Sequence, residues 1–164
     1  MNLEDGNLSH PDLLLVQREQ DEKTGRYKDI SKEQVADLIS KSAFAPVMST
    51  TKVCIIEDVD RMSLVAANSF LKLLEEPPVG WVLVLLATDE NKLLTTILSR
   101  VVCLRFKPVP TEQVVALLKQ RGVEPMQAAV LARISEGSVG TALSLVEQNA
   151  LELMQQAVAF IEAL

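Results

Sequence analysis

Cysteine, histidine and aromatic side chains are scarce in this chain, and each shortage removes a class of function. The two cysteines, Cys54 and Cys103, each lie inside an apolar run, so neither a disulfide framework nor a four-ligand zinc site is expected, and a reduced, cytoplasmic setting fits. The single histidine, His10, reads as a loop residue. Positive charge is thin as well: 16 Lys and Arg against 22 Asp and Glu leave a net charge of −6, with no basic tail or stripe. Strong nucleic-acid binding by this chain alone is therefore not expected, and any DNA contact would be local or shared with partners. The longest strongly apolar run, Trp81–Ala87, is far too short to cross a bilayer, and the start is polar and acidic, so a soluble protein without an export signal or membrane partner is expected. Finally, no G-x-x-x-x-G-K-[ST] phosphate loop occurs anywhere, which removes the usual route to nucleotide binding.

What remains is aliphatic. Of 164 residues 48% are apolar and 4% aromatic, enough for one ordinary domain or a domain with a small appendage, and too apolar for disorder. Asp12–Val16, Val53–Ile56, Trp81–Ala87 and Val101–Phe106 are short, largely apolar runs that read as buried strands, as in parallel sheets covered on both faces. Helices are expected between them: 32–42 behind the capping box Ser31/Gln34, a second capped by Ser63 and stopped by Pro77-Pro78, and a short one over 92–97. Alternating strands and helices imply a parallel sheet with helices on both faces. Beyond Lys107 the strands stop, and helices are expected over 111–121, 125–135 with Pro125 in its first turn, 138–147 and 149–163. Gly122 and Gly137 fall where left-handed helix caps belong. No repeat or low-complexity segment interrupts this order.

Three places carry potential chemistry. The acids Glu57-Asp58-Val59-Asp60 follow a buried strand, where α/β folds hold Mg²⁺ and water, although a solvated turn explains them equally well. Thr88 ends the next strand. Ser99-Arg100 sits between a helix and a strand, where a guanidinium could reach a neighbour's phosphate, against the plainer reading of a solvated arginine.

Taken in order, Lys52-Val-Cys-Ile-Ile-Glu-Asp-Val-Asp-Arg-Met62, Ala66-Ala-Asn-Ser-Phe-Leu-Lys-Leu-Leu-Glu-Glu-Pro-Pro78, Leu86-Ala-Thr-Asp89 and Ile97-Leu-Ser-Arg100 closely resemble the clamp-loader subunits of bacterial DNA polymerase III. These are AAA+ proteins, comprising delta-prime and gamma/tau chains, and relatives of the replication factor C small subunits. The resemblance runs from His10-Pro-Asp12 to about Leu145. It implies a partial α/β AAA+ core over residues 1–107, a three-helix lid over 108–148, and the lid's end or the start of a collar over 149–164. The family's phosphate loop and zinc module, which precede Asp12, and its oligomerising collar are not in this sequence. The resemblance thus implies a middle portion truncated at both ends, mostly monomeric by itself.

The residues also bear on which subunit is resembled. An active Walker B box reads Asp-Glu, the first organising Mg²⁺ and the second polarising water. Here the order is Glu57-Asp58, which displaces each carboxylate by about an ångström, so a degenerate box that hydrolyses weakly or not at all is implied. In Gly137-Ser-Val-Gly-Thr-Ala-Leu143, Gly140 stands where gamma-like subunits place the sensor 2 arginine. Thr88 matches sensor 1, and Ser99-Arg100 is kept although Val101 replaces the following Cys. The resemblance is therefore to delta-prime: a subunit that supplies Arg100 in trans to ATP and Mg²⁺ held by a neighbouring gamma/tau subunit, joins delta, and helps place the sliding clamp on primer–template DNA. Two alternatives stand beside it: a gamma/tau-type ATPase subunit, and a metal-dependent phosphoryl-transfer enzyme using Asp58 and Asp60 as a D-x-D pair.

Overall fold

A computed structural model describes residues 10–150. They fall into two compact units divided between Cys103 and Leu104.

The first unit is built on three parallel strands, β1 (Leu13–Val16), β2 (Lys52–Ile56) and β3 (Trp81–Leu85), in the order β1-β2-β3. The register sets Leu14 beside Cys54 beside Leu83, and Val16 beside Ile56 beside Leu85. Side chains alternate across a pleated sheet, so these six residues share one face. That face packs against helices α1 (Lys32–Ser42) and α2 (Leu64–Glu75), whose Val35, Leu38, Ala66 and Phe70 join Cys54 and Ile56 in one core. Burial pushes the Cys54 thiol up to about 11, so it is inert packing.

The helix starts follow from local chemistry. Ser31 Oγ accepts from Gln34 N while Gln34 Oε1 accepts from Ser31 N, closing the capping box of α1, and Ser63 accepts from Ala66 N at the start of α2. The stop of α2 at Glu75 lies just before Pro77-Pro78, which cannot continue a helix.

Three expectations need correction. The run Val101–Phe106 is not a strand: it is irregular, and Val102, Leu104 and Phe106 are 89%, 77% and 93% exposed. Its apolar run suits a strand, but a strand exists only as a pairing, and among the described residues none pairs with it. The expected helix over 92–97 is two pieces, a 3₁₀ turn at Glu90–Lys92 and α3 (Thr95–Leu98), separated by extended Leu93 and Leu94. The strands are not covered evenly, either. Cys54 and Ile56 are fully buried, whereas Val53, Ile55 and Val84 on the opposite face are only half-buried and Val82 is exposed. The described helices of this unit share their core with one face alone.

The second unit holds α4 (Thr111–Gln120), α5 (Pro125–Ile134) and α6 (Val139–Glu147) around Val114, Leu118, Ala128, Leu131, Ala132 and Ala142. Pro125 begins α5, where Glu124 caps the N–H groups of Met126 and Gln127. Gly137 is left-handed, with φ +83, and also fills a second requirement that its sequence position did not show. A Cβ there would sit 2.6 Å from Pro108 Cβ and 2.7 Å from the Val109 carbonyl oxygen. The expected helix over 149–163 and the segment 149–164 lie almost wholly outside the described residues. Among the described residues no helix is long and apolar enough to cross a membrane.

Candidate functional site

Parallel strands deliver their carboxyl ends to one edge, and three of the four sequence-selected residues stand there. Glu57 N still donates to Val16 O at 2.9 Å, so the ladder between β1 and β2 runs one residue past the strand. The chain then turns sharply at Asp58, a non-glycine residue in the left-handed region (φ 49, ψ 42), and enters a 3₁₀ turn at Val59–Arg61. That turn is tied to the neighbouring strand's exit by Val59 N donating to Leu86 O at 2.9 Å.

The turn separates the acids. Glu57 Oε2 accepts from Gln17 Nε2 at 2.9 Å, and Asp58 Oδ2 lies 3.9 Å from Arg18 Nη1. Arg18 is itself anchored, its Nε donating to Lys28 O and its Nη2 to Tyr27 O, both at 2.9 Å, with the guanidinium carbon 5.6 Å from the Tyr27 ring centre. Together these residues line a shallow cleft of about 240 Å³. Asp60 points elsewhere. It is buried, and its carboxylate accepts from Thr88 Oγ1 at 3.0 Å and Thr88 N at 3.3 Å.

Thr88 therefore meets Asp60 rather than Glu57 or Asp58, and Asp60 is the residue that sequence reasoning undervalued. The signal was its i+2 spacing from Asp58 across a turn, but only the register of β2 with β3 turns that spacing into a contact. The same geometry dissolves the D-x-D alternative, because Asp58 faces Arg18 and Asp60 faces Thr88. The donor set does not fit a resident cation: no group of three or more His, Cys, Asp or Glu among the described residues could hold a metal ion, and the rim acids are already engaged by an amide and a guanidinium.

Arg100 stands apart from the acids, immediately after α3. Its Nη1 donates to Thr96 O at 2.8 Å and Ser99 Oγ at 3.1 Å, and its Nη2 donates to Glu75 Oε1 at 2.7 Å. The side chains of Arg100 and Glu75 are 34% and 48% exposed. A guanidinium fixed on two sides and open on a third can present its planar fork to an outside anion. In the helical unit, Gly140 lies on α6 where an added Cβ would meet nothing within 4 Å.

One further acid was missed entirely. Asp12, at the amino end of β1, is buried, and its carboxylate accepts from the N–H groups of Val47, Met48 and Ser49 at 2.6, 2.7 and 2.8 Å. These bonds, that from Val47 foremost, hold its pKa down to about 2.

The parallel α/β unit, followed by a helical one, agrees with the AAA+ clamp-loader class that the motif order resembles, and the comparisons with known proteins place the chain in that class. The chain belongs to the family described as DNA polymerase III, delta subunit, whose model matches residues 5–110. Among curated relatives it is 34% identical over 122 residues to DNA polymerase III subunit tau of Bacillus subtilis, covering 71% of this chain and 22% of that protein. To subunit delta' of the same organism it is 35% identical over 133 residues, covering 81% and 38%. Among solved structures it matches a DNA polymerase III gamma subunit-related protein from Thermotoga maritima with a TM-score of 0.63 at 31% identity, covering 81% of this chain and 41% of that one. The chain thus spans less than half the length of each of these proteins.

Proposed function

We propose that the chain acts as part of a delta-prime-like clamp-loader subunit, whose chemical contribution is made in trans. Arg100 stabilises the negative charge that develops on ATP held with Mg²⁺ by a neighbouring gamma/tau subunit. The assembly, with delta also present, opens and places the sliding clamp on primer–template DNA. The observation that carries this reading is the state of Arg100: half-exposed, its Nη1 fixed on the end of its own short helix and its Nη2 held by one surface carboxylate. The rim acids support the same reading from the other side, since Glu57 faces Gln17 and Asp58 faces Arg18 rather than converging as a metal pair. Thr88, bonded to Asp60, belongs to the strand-exit framework in a sensor 1 position.

The test is substitution in the full-length protein assembled with its partner subunits. An arginine of this kind is worth roughly a thousandfold or more at the site it serves. One of several ATP sites is affected, so Arg100→Ala is expected to lower the DNA- and clamp-stimulated ATPase partially and clamp loading more, with the subunit still folded. Arg100→Lys keeps the charge and loses the fork, and is expected to rescue poorly. Wild-type turnover and loading in Arg100→Ala would dismiss the assignment.

The tau similarity gives a gamma/tau-type ATPase a specific claim. The Glu57-Asp58 order and Gly140 in place of the sensor 2 arginine weigh against it. ATPase measured on the full-length chain by itself separates the two: little or no hydrolysis is expected from the delta-prime-like subunit, and hydrolysis well above background would favour the motor.

A further inference from the structure

The ion pair between Arg100 and Glu75 joins residues from two helices, and it bears directly on how the arginine works. A guanidinium has five N–H donors in one plane. Two Nη1 bonds go to Thr96 O and Ser99 Oγ at the end of α3, and one Nη2 bond goes to Glu75 at the end of α2. With these bonds made, the side chain is still 34% exposed, so the guanidinium can offer remaining N–H donors to an outside phosphate or carboxylate.

The anchors differ in kind. Thr96 and Ser99 belong to α3, a helix of four residues, and would move with Arg100. Glu75 belongs to α2, which is twelve residues long and fastened to the core by the fully buried Phe70. The buried Ile97 fastens α3 as well, so what sets Glu75 apart is that it anchors the guanidinium from outside the arginine's own segment. It also lies just ahead of Pro77-Pro78, so the chain beyond it cannot extend the helix and carry the carboxylate away.

We infer that Glu75 is the positioning residue of Arg100: it holds the guanidinium plane in one orientation so that its remaining donors meet a neighbour's terminal phosphate without an ordering cost at the moment of reaction. This inference rests on the trans role proposed above. Glu75 touches no nucleotide and acts only through the arginine.

The experiment is steady-state ATPase of the full-length protein assembled with its partner subunits, comparing Glu75→Ala, Glu75→Gln, Arg100→Ala and the Glu75→Ala/Arg100→Ala double variant. Glu75→Ala is expected to remove about half or more of the turnover that Arg100→Ala removes, with KM for ATP unchanged, because misorientation lowers the rate without weakening ground-state binding. Glu75→Gln keeps an oxygen acceptor and is expected to retain most of the turnover. The double variant is expected to be no slower than Arg100→Ala alone, since residues acting as a unit do not add. Melting of Glu75→Ala is expected within about 2 °C of wild type, as for an exposed pair. If Arg100→Ala itself costs nothing, the trans reading falls and takes this inference with it. If Arg100→Ala is slow while Glu75→Ala turns over like wild type, or if the double variant is slower by the product of the two singles, the inference alone falls.

Discussion

The two charged corners of the α/β unit are built on different plans. At the exit of β2 three acids lie within four residues, and each has its own partner: Glu57 an amide at 2.9 Å, Asp58 an anchored arginine at 3.9 Å, and the buried Asp60 an exposed threonine. At the exit of α3 one arginine stands at the surface, held by one carboxylate at 2.7 Å and by the end of its own helix. In the first corner the acids diverge, Asp60 to the interior and Glu57 and Asp58 to separate partners at the rim. In the second, a short solvated ion pair from another helix fixes an arginine that is still partly exposed. Acids at a strand end suggest catalysis by their number, yet the partners of each decide whether they converge on a ligand, and these three do not.

The comparison is broken most sharply at Asp60. If the β2 corner is a structural set, Asp60→Ala removes two hydrogen bonds to a buried carboxylate and is expected to destabilise the unit by about 1–3 kcal/mol in chemical denaturation. Full stability of that variant would reopen the corner as a ligand site. Asp12, at the opposite end of the sheet, sharpens the point, because it is an acid spent wholly on backbone. Its pKa is depressed when folded, so its contribution is present above the unfolded value of about 4 and is lost as pH falls toward about 2. The stability gap between wild type and Asp12→Asn is therefore expected to be widest near neutrality and to close by about pH 2 in acid titrations followed by circular dichroism; a gap independent of pH would contradict it. The smallest effect is expected at Asp58. Glycine relieves its left-handed backbone, and the Arg18 pair, long and half-exposed, contributes little. Asp58→Gly is expected to be neutral or stabilising by up to about 1 kcal/mol, and a clear loss would mean the carboxylate holds the corner together.

The sequence showed what is local and hid what is not. The Ser31/Gln34 box, the Ser63 cap and Pro125 are each settled within four residues, and the structure has them where the spacing put them. The three paired strands were legible because their runs are uniformly aliphatic. The same signal misled at Val101–Phe106, where the apolar run is present and, among the described residues, a pairing partner is not. The close approach of Gly137 to Pro108 and Val109 was invisible for a related reason, since only a cap was readable from its position. Of the site, the residue identities were legible through motif order. Their partners were not, because Asp60 with Thr88 spans 28 residues and Glu75 with Arg100 spans 25, and both depend on register and helix packing.

The central claim is that this subunit's chemistry lies at Arg100 and not at its own acids. The direct test is the DNA- and clamp-stimulated ATPase of the assembled complex, with Arg100→Ala and Asp58→Gly measured side by side. The account predicts a several-fold lower turnover for Arg100→Ala and turnover within about twofold of wild type for Asp58→Gly. The reverse pattern, an inactive Asp58→Gly complex beside a fully active Arg100→Ala complex, would contradict it.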